Sequence, residues 1–399
     1  MEFFHSVNID WMGKTKYFVS LSLILLAIGW ISVFRQGLQY GIDFKGGTLV
    51  DVAFAGTPPL AQVRAALPGV SVKPISDQLD PASKNDIEIG LEQKEDQTLD
   101  AGRTQVLDVL EKMYGNEQAG KKDFNNQVDT ASLAAYLTQK DPLNLGTAAG
   151  NRYHDLAADL LAARNPHRGI LTSFDELRSV PGVNSAVLSD LSSQYSLGSF
   201  AIRDAQSVGA TVGSQLRHQA VYATLYALAG MLIYVAFRFE LVYGAAAVIA
   251  VFHDVLITLG LFSLFHYEIS LTVIAALLTL VGYSMNDTIV IFDRVREDVR
   301  LMRREPFADI VNKAINQTLS RTILTSGLTL LTVLVLYLLG GAALRAFSFA
   351  MVVGVVVGTY SSFGIAAPIV VAWNKFHGTG TAVRAGSAAD KRVVAAARR

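Results

Sequence analysis

Residues 241–264 read LVYGAAAVIAVFHDVLITLGLFSL, an apolar run whose only acidic or basic side chains are His253 and Asp254. The hydrocarbon core of a bilayer is about 30 Å thick, and a helix of about 20 mostly apolar residues is long enough to cross it. The run therefore predicts a membrane-spanning helix, and the rest of the chain extends this prediction.

Five further runs of the chain are similarly apolar. They cover residues 17–34, 218–237, 269–292, 322–340 and 345–372. The first could be the apolar region of a signal peptide, but it is long for one and lacks a cleavage site of small residues, so a retained anchor is favoured. For the others, the alternative is buried helices of a large soluble core, and connectors as short as 238–240 argue against it. The sequence predicts a polytopic α-helical membrane protein with six spans.

Lysine and arginine residues cluster on one side of this six-span arrangement. They mark the N-terminus at 1–16, the connector at 293–321 between spans four and five, and the tail at 373–399. Because basic residues accumulate on the cytoplasmic side of a membrane, we expect both termini and this connector to be cytoplasmic. The segment 35–215 then lies on the opposite, periplasmic side.

The segment 35–215 has the pattern of a mixed α+β domain. Strand-like runs lie at 47–54, 70–75, 86–91 and 199–208, with a helix pattern after the first and another after the third. The order βαββα…β predicts a ferredoxin-like unit. Residues 114–198 form an insertion before the last strand, and helical patterns near 131–139, 153–164 and 174–179 favour a structural excursion over a partner-binding module.

Composition narrows the chemistry further. The chain has no cysteine and a formal net charge of zero. Disulfides, iron–sulfur clusters and thiolate chemistry are excluded, and charge indicates no nucleic-acid partner. We find no metal-ligand spacing and expect no cofactor. The Gly46–Gly47 pair lacks the spacing of a phosphate-binding loop and is better explained as a tight turn before the first strand.

Two ionisable residues within the predicted spans need an explanation, because each costs about 3 kcal/mol on insertion scales. Asp287 lies in the fourth span, before its basic end, and Arg321 lies where the fifth span leaves the cytoplasm. These spans are antiparallel, so the two side chains can meet in the cytoplasmic half. Arg321 stays charged and Asp287 can exchange a proton, which predicts an intramembrane proton relay.

Polar neighbours support this relay. A stripe on the fourth span carries Thr272, Thr279, Tyr283, Asn286 and Asp287, and one on the fifth carries Arg321, Thr325 and Thr332, with Thr329 beside them. A static ion pair that pins two helices is the alternative. Asp254, beside His253, is either a second proton station or a helix-packing hydrogen bond. The supporting polar residues are Asp254, Tyr283, Ser284, Asn286 and Thr325.

A family resemblance is carried by four segments. GYSMNDTIVIFDRVRE at 282–297 resembles the signature of the SecF family of the bacterial Sec protein-export machinery. YGIDFKGGT at 40–48, His253-Asp254-Val255 and Ser320-Arg321-Thr322 are similar to other segments of that family. The likeness covers nearly all of 1–110 and 199–375, and the insertion at 114–198 departs from it.

The resemblance implies a six-helix bundle of the resistance-nodulation-division (RND) type in the bacterial inner membrane. It implies a subunit that, with SecD, couples the proton motive force to protein export, with Asp287 and Arg321 at the positions of the family's intramembrane pair and Thr325 as a polar neighbour. The implied partners are SecD, the SecYEG channel, accessory subunits such as YajC, the translocating polypeptide and the lipid bilayer.

Three other functions are alternatives to a subunit of the export machinery. An intramembrane aspartyl protease would use Asp254 and Asp287, but their contexts, His253-Asp254 and Asn286-Asp287, differ from those of such proteases, so no enzyme is expected. Half of a small-molecule efflux transporter of the RND superfamily and a passive structural subunit of a translocon are the remaining alternatives.

Overall fold

The computed structural model describes residues 8–75, 81–92, 101–115, 121–146, 149–238, 241–302 and 304–377. Residues 1–7 of the predicted N-terminus, 239–240 of the short connector, Arg303 of the basic connector and 378–399 of the predicted tail lie outside this description. The chain forms two compact units, which we call the ferredoxin-like unit, Ile42–Leu216, and the bundle, formed by the residues on either side of it.

The elements follow one another in this order: α1 (Thr15–Gln36), β1 (Gln39–Tyr40), α2 (Ile42–Lys45), β2 (Gly47–Phe54), α3 (Leu60–Ala66), β3 (Ser71–Ile75), β4 (Asp86–Leu91), α4 (Ala101–Tyr114), β5 (Lys122–Asp123), α5 (Thr130–Lys140), α6 (Ala149–Ala162), α7 (Ser185–Gln194), β6 (Tyr195–Ser196), β7 (Phe200–Val208), α8 (Ala210–Arg238), α9 (Leu241–Leu264), β8 (Glu268–Ile269), α10 (Leu271–Leu301), α11 (Phe307–Leu339), α12 (Gly341–Ser361) and α13 (Ala367–His377).

The ferredoxin-like unit is built on a four-stranded antiparallel sheet with the order β3-β4-β2-β7. Val50 of β2 pairs with Ile89 of β4 on one side and with Ala205 of β7 on the other. The first strand therefore lies between the third and the fourth, which is the arrangement of a ferredoxin-like fold. Alternate residues of these strands pack on α3 and α4, as the period-two pattern predicts.

Gly46 and Gly47 make the turn that leads into β2. Their φ angles are +76° and +142°, which side chains on L-residues rarely allow. A Cβ on Gly47 would lie 2.1 Å from the carbonyl oxygen of Leu91, and one on Gly46 would lie 2.6 Å from Cα of Ala210. The pair connects a helical turn to a strand, so its role is the predicted tight turn.

The insertion has a hydrophobic core of its own, which includes Phe124, Leu133, Leu137, Tyr153 and Leu160. Its entry and exit lie side by side, because β5 pairs with β6. Three predicted helical segments are present, the one at Phe174–Ser179 as a 3-10 helix. The helix α7 was not predicted from the sequence; Asn184 caps it by accepting from the backbone N–H of Val187 at 2.9 Å.

Six helices of the described chain are long and apolar enough to cross a membrane. The fourth and fifth extend far beyond the predicted runs at 269–292 and 322–340, because α10 ends at Leu301 and α11 begins at Phe307. Most of the predicted connector at 293–321 is therefore helical. Its arginines end the apolar pattern but are good helix formers, so the helix continues where the hydrophobicity stops.

Helices α9, α10 and α12 make up the most buried part of the bundle. Gly354 and Gly358 of α12 permit the close approach expected of them, since a Cβ on either would lie under 3 Å from Leu280 or Ser284 of α10. The sixth span is interrupted by a π-turn at Ser362–Ala366 before it continues as α13. Such turns are frequent at functional sites.

Candidate functional site

Asp287 lies on the fourth span with its side chain in the bundle, and the residue is 3% exposed. Its Oδ2 accepts a hydrogen bond from Oγ of Ser326 on α11 at 2.9 Å. Its Oδ1 accepts a longer one from Nδ2 of Asn286 at 3.5 Å. The carboxylate therefore connects the fourth and fifth spans through Ser326, a partner that the sequence did not predict.

Arg321 does not form the expected contact with Asp287. Among the described residues the two form no ion pair, although the guanidinium is near enough to Asp287 for their charges to interact. The Arg321 side chain is exposed, whereas Thr322 and Ser326 face the interior. One residue turns a helix by about 100°, so the buried face of α11 is the one next to the predicted stripe.

The predicted polar stripes therefore do not face each other. In α11, backbone carbonyls accept hydrogen bonds from the hydroxyls of threonines four residues later, namely Thr325, Thr329 and Thr332. On α10, Thr272, Thr279 and Asn286 are exposed, while the buried Tyr283 hydroxyl lacks a hydrogen-bond partner among the described residues. Both stripes lie mainly on the surface of the bundle, at the edges of the buried Asp287.

Asp254 occupies a second polar site, with no exposed surface. Its Oδ2 accepts from Oγ of Ser284 on α10 at 2.6 Å and from Oγ of Ser361 at the end of α12 at 2.8 Å. Its Oδ1 lies 2.9 Å from Nδ1 of the neighbouring His253. Ser284, predicted as a supporting residue of the relay, therefore donates its hydrogen bond to Asp254 and not to Asp287.

A further hydrogen bond extends this site along α10. Thr288, beside Asp287 in sequence, lies 2.9 Å from Ser362 when measured between their hydroxyl oxygens, and both residues are buried. Sequence analysis missed Ser326, Thr288, Ser361 and Ser362. Their signal in the sequence is weak, because single hydroxyls are frequent in apolar helices and usually bond to their own backbone.

The energetics of a membrane interior decide whether packing explains these aspartates. Hydrogen bonds between spans contribute about 0.6 kcal/mol on average, whereas an acidic residue near the bilayer centre costs about 3 kcal/mol. Serine or asparagine would provide similar helix-to-helix bonds without that cost. Both carboxylates are therefore candidate functional groups.

The sequence of this chain matches known protein families and a known protein. A family model described as Protein export membrane protein SecD/SecF, C-terminal, matches residues 188–376, and the SecD/SecF GG motif matches residues 31–57. The protein translocase subunit SecF of Koribacter versatilis (strain Ellin345) is 49% identical over 98% of both chains. The chain belongs to the SecF family.

Two further relatives relate this SecF-family chain to a larger protein. The protein translocase subunit SecDF of Thermus thermophilus is 35% identical over 91% of this chain, but over only 38% of its own length. A crystal structure of SecDF from the same organism superposes with a TM-score of 0.63 at 30% identity, over 93% of this chain and 39% of that one. This SecF-family chain therefore corresponds to about two-fifths of the longer SecDF protein.

Membership also fixes the general class of the molecule. The SecF family supplies a subunit of a protein translocase, which is a transport component and not a classical enzyme. Together with the six apolar helices, it makes the SecF-family chain a multi-pass membrane protein with an RND-type bundle. The GG-motif match includes Gly46 and Gly47, whose tight turn has the physical basis given above.

Proposed function

We propose that this chain works with SecD to couple the proton motive force to protein export across the bacterial inner membrane. Asp287 is the group that takes up and releases the proton, and Arg321 is the fixed positive charge that controls it. One observation carries the proposal: a carboxylate 3% exposed lies directly beside a polar, uncovered surface of the bundle.

The uncovered polar surface supports a complementary subunit. An arginine on the outside of a membrane-spanning helix is poorly solvated by lipid, so this surface needs a polar cover. A second bundle of the same kind, supplied by SecD, meets that need. The SecDF relatives, in which a chain like this one makes up 38% of a longer protein, agree with such an assembly.

The proposed chemistry follows from the position of one charge. Arg321 remains protonated at any ambient pH. When its guanidinium approaches, it favours the ionised carboxylate of Asp287, and when it withdraws, burial favours the neutral acid. Ser326 fixes one oxygen of Asp287 from α11, so a movement of α11 changes both the hydrogen bond and the distance to the charge.

The proposal extends to the orientation and to the wider partners. Both termini and the basic connector at 293–321 face the cytoplasm, and the ferredoxin-like unit faces the periplasm, in agreement with the positions of the basic residues. There the unit meets the polypeptide that leaves the SecYEG channel, with accessory subunits such as YajC in the same complex. A passive structural subunit and half of an efflux transporter are the functions that the test must exclude.

The test is export into vesicles that contain SecD, SecYEG and either the native chain or Asp287→Asn. We expect the variant to insert and bind SecD but to lose the stimulation of export by a proton gradient. Asp293→Asn, an exposed acid on the same helix, is the matched control and keeps that stimulation. Normal gradient-driven export by Asp287→Asn would refute the relay and leave the passive subunit. Collapsing the proton and sodium gradients separately identifies the coupling ion.

A further inference from the structure

His253 has an unusual environment for a side chain inside the bundle. The residue is 8% exposed, and its Nδ1 lies 2.9 Å from Oδ1 of Asp254. Its ring lies edge-on to that of Tyr360, with centroids 6.1 Å apart. The other ring nitrogen, Nε2, is buried and has no hydrogen-bond partner among the described residues. The imidazole therefore has one nitrogen at hydrogen-bond distance from a carboxylate and the other without a hydrogen-bond partner in the described part of the chain.

The carboxylate of Asp254 is surrounded by groups that can donate hydrogen bonds to it. Oδ2 accepts from the hydroxyls of Ser284 and Ser361, and Oδ1 faces Nδ1 of His253. When Nδ1 carries the hydrogen, all three contacts are donors to the carboxylate, which fits its ionised, acceptor-only form. With Nδ1–H donating to Oδ1, Nε2 is left as the proton acceptor of the pair.

Within the part of the chain that the structure describes, the groups around the pair supply no other charge. Helix α10 contributes Ser284, and α12 contributes Ser361 and the titratable Tyr360. Helix α1 contributes Ser22, whose Oγ lies 3.0 Å from the hydroxyl oxygen of Tyr360. Asp287, on α10, is turned toward α11. A proton on Nε2 would therefore neutralise an otherwise uncompensated buried carboxylate.

We propose that His253 and Asp254 form a second proton-binding site inside the bundle, separate from Asp287. An O–H bond of a hydronium ion breaks, an N–H bond forms at Nε2 of His253 and a water molecule is released. No bond within the pair breaks, and Asp254 remains ionised as the acceptor that holds the ring. The site changes from one negative charge to a neutral ion pair. Its part in export rests on the function proposed above, whereas its occupancy by a proton does not.

The site is connected to Asp287 through one helix. Ser284 donates to Asp254 from the turn of α10 that precedes Asp287, and Thr288, which follows it, is hydrogen-bonded to Ser362 of the π-turn. Ser361 donates to Asp254 immediately before that turn. Hydrogen bonds between two charged groups are the stronger ones, so a proton on Nε2 strengthens the bond from Nδ1–H to Asp254, the same carboxylate that Ser284 and Ser361 hold from α10 and α12.

The first experiment measures the proton directly. The full chain with SecD in lipid bilayers, labelled with ¹⁵N-histidine, is studied by solid-state NMR between about pH 5 and pH 8, the range in which histidine titrates. The chain has seven histidines, and His253→Gln assigns the signal. We expect His253 to give an imidazolium signal that Asp254→Asn abolishes. His266→Asn, which changes an exposed histidine, leaves that signal unchanged. A neutral His253 ring throughout this range in the native chain would overturn the proposal.

The second experiment separates proton binding from packing. We expect Asp254→Asn and His253→Gln to alter the pH profile of gradient-driven export, with Asp254→Glu partly restoring it. Lower thermal stability with an unchanged pH profile would mean a packing role only and would overturn the proposal. Normal export by Asp287→Asn with an intact His253 signal would refute the proposed function alone, whereas loss of export in Asp287→Asn with a neutral His253 would refute this inference alone.

Discussion

Gly358 sets the distance between the fourth and sixth spans, so Gly358→Ala tests the packing around Asp254. A Cβ at this position would lie 2.9 Å from Cβ of Ser284, whereas carbon atoms pack at about 3.5–4.0 Å. The two helices must therefore separate by about 0.5–1 Å. The 2.9 Å hydrogen bond between Thr288 of α10 and Ser362, which joins the same two spans beside Asp254, then lengthens beyond the usual range for hydroxyl donors.

The expected cost follows from this geometry. Inserting a methyl group into a closely packed interior typically destabilises a protein by about 1–3 kcal/mol. Gly230→Ala on α8 is the matched control, because nothing lies within 4 Å of the atom it would add. There we expect no loss, and a gain of up to about 1 kcal/mol from the better helix propensity of alanine.

The assay is thermal unfolding of the purified protein in detergent, combined with gradient-driven export in vesicles. We expect Gly358→Ala to lower both the unfolding temperature and export, while Gly230→Ala lowers neither. Adding Ser284→Gly to Gly358→Ala removes the clashing atoms, so part of the lost stability returns. Equal stability of the two alanine variants would refute the contact between α10 and α12 at this position.

Three further predictions concern other parts of the chain. Ser326→Ala leaves an oxygen of the buried Asp287 without its donor, which should cost about 1–3 kcal/mol in thermal unfolding. Asp86→Ala removes a carboxylate that is 1% exposed and paired with Arg168, and should destabilise the ferredoxin-like unit by about 3–5 kcal/mol in urea. Asp51→Asn should stabilise that unit at neutral pH, because burial raises the pKa of Asp51 above its usual 3.8. The stabilising, protonated form of Asp51 is fully present below 3.8 and is lost as pH rises through the raised pKa, so the benefit of Asp51→Asn disappears in acid.

Two of these predictions have a control variant, and the third is checked by its pH dependence. Thr329→Ala removes a hydroxyl that bonds only within α11, and should leave stability and export near the native values. Asp175→Asn breaks an exposed ion pair with Arg178 and should cost no more than about 1 kcal/mol. Unfolding curves of Asp51→Asn and the native chain that differ equally at all pH values would contradict the linkage to Asp51 ionisation.

The sequence predicted the parts of the fold that depend on local patterns. Six apolar runs gave six candidate spans, and the run at 241–264 coincides with the helix Leu241–Leu264. The order of strand and helix patterns gave the ferredoxin-like topology, in which the first strand is central. Both succeed because hydrophobic periodicity and chain order are properties of the sequence itself.

Helix ends and the insertion were harder to predict. The fourth and fifth helices run through the basic connector, since arginine and glutamate favour a helix whether or not it is apolar. In the insertion, α7 follows a proline–glycine turn, and a single asparagine caps its N-terminus. Its short amphipathic pattern can be recognised as a helix only when the core formed by Leu191 and its neighbours is known.

The two intramembrane aspartates show most clearly where sequence reasoning ends. The sequence by itself determined that Asp254 and Asp287 are ionisable groups in apolar helices, because their cost follows from composition and depth alone. Only the tertiary structure decided their partners: Ser326 for Asp287, Ser284 and Ser361 for Asp254, and an exposed position for Arg321. The reason is geometric, since depth follows from counting residues, whereas the rotation of each helix is set by its packing against the others, and a shift of one residue turns a side chain by about 100°.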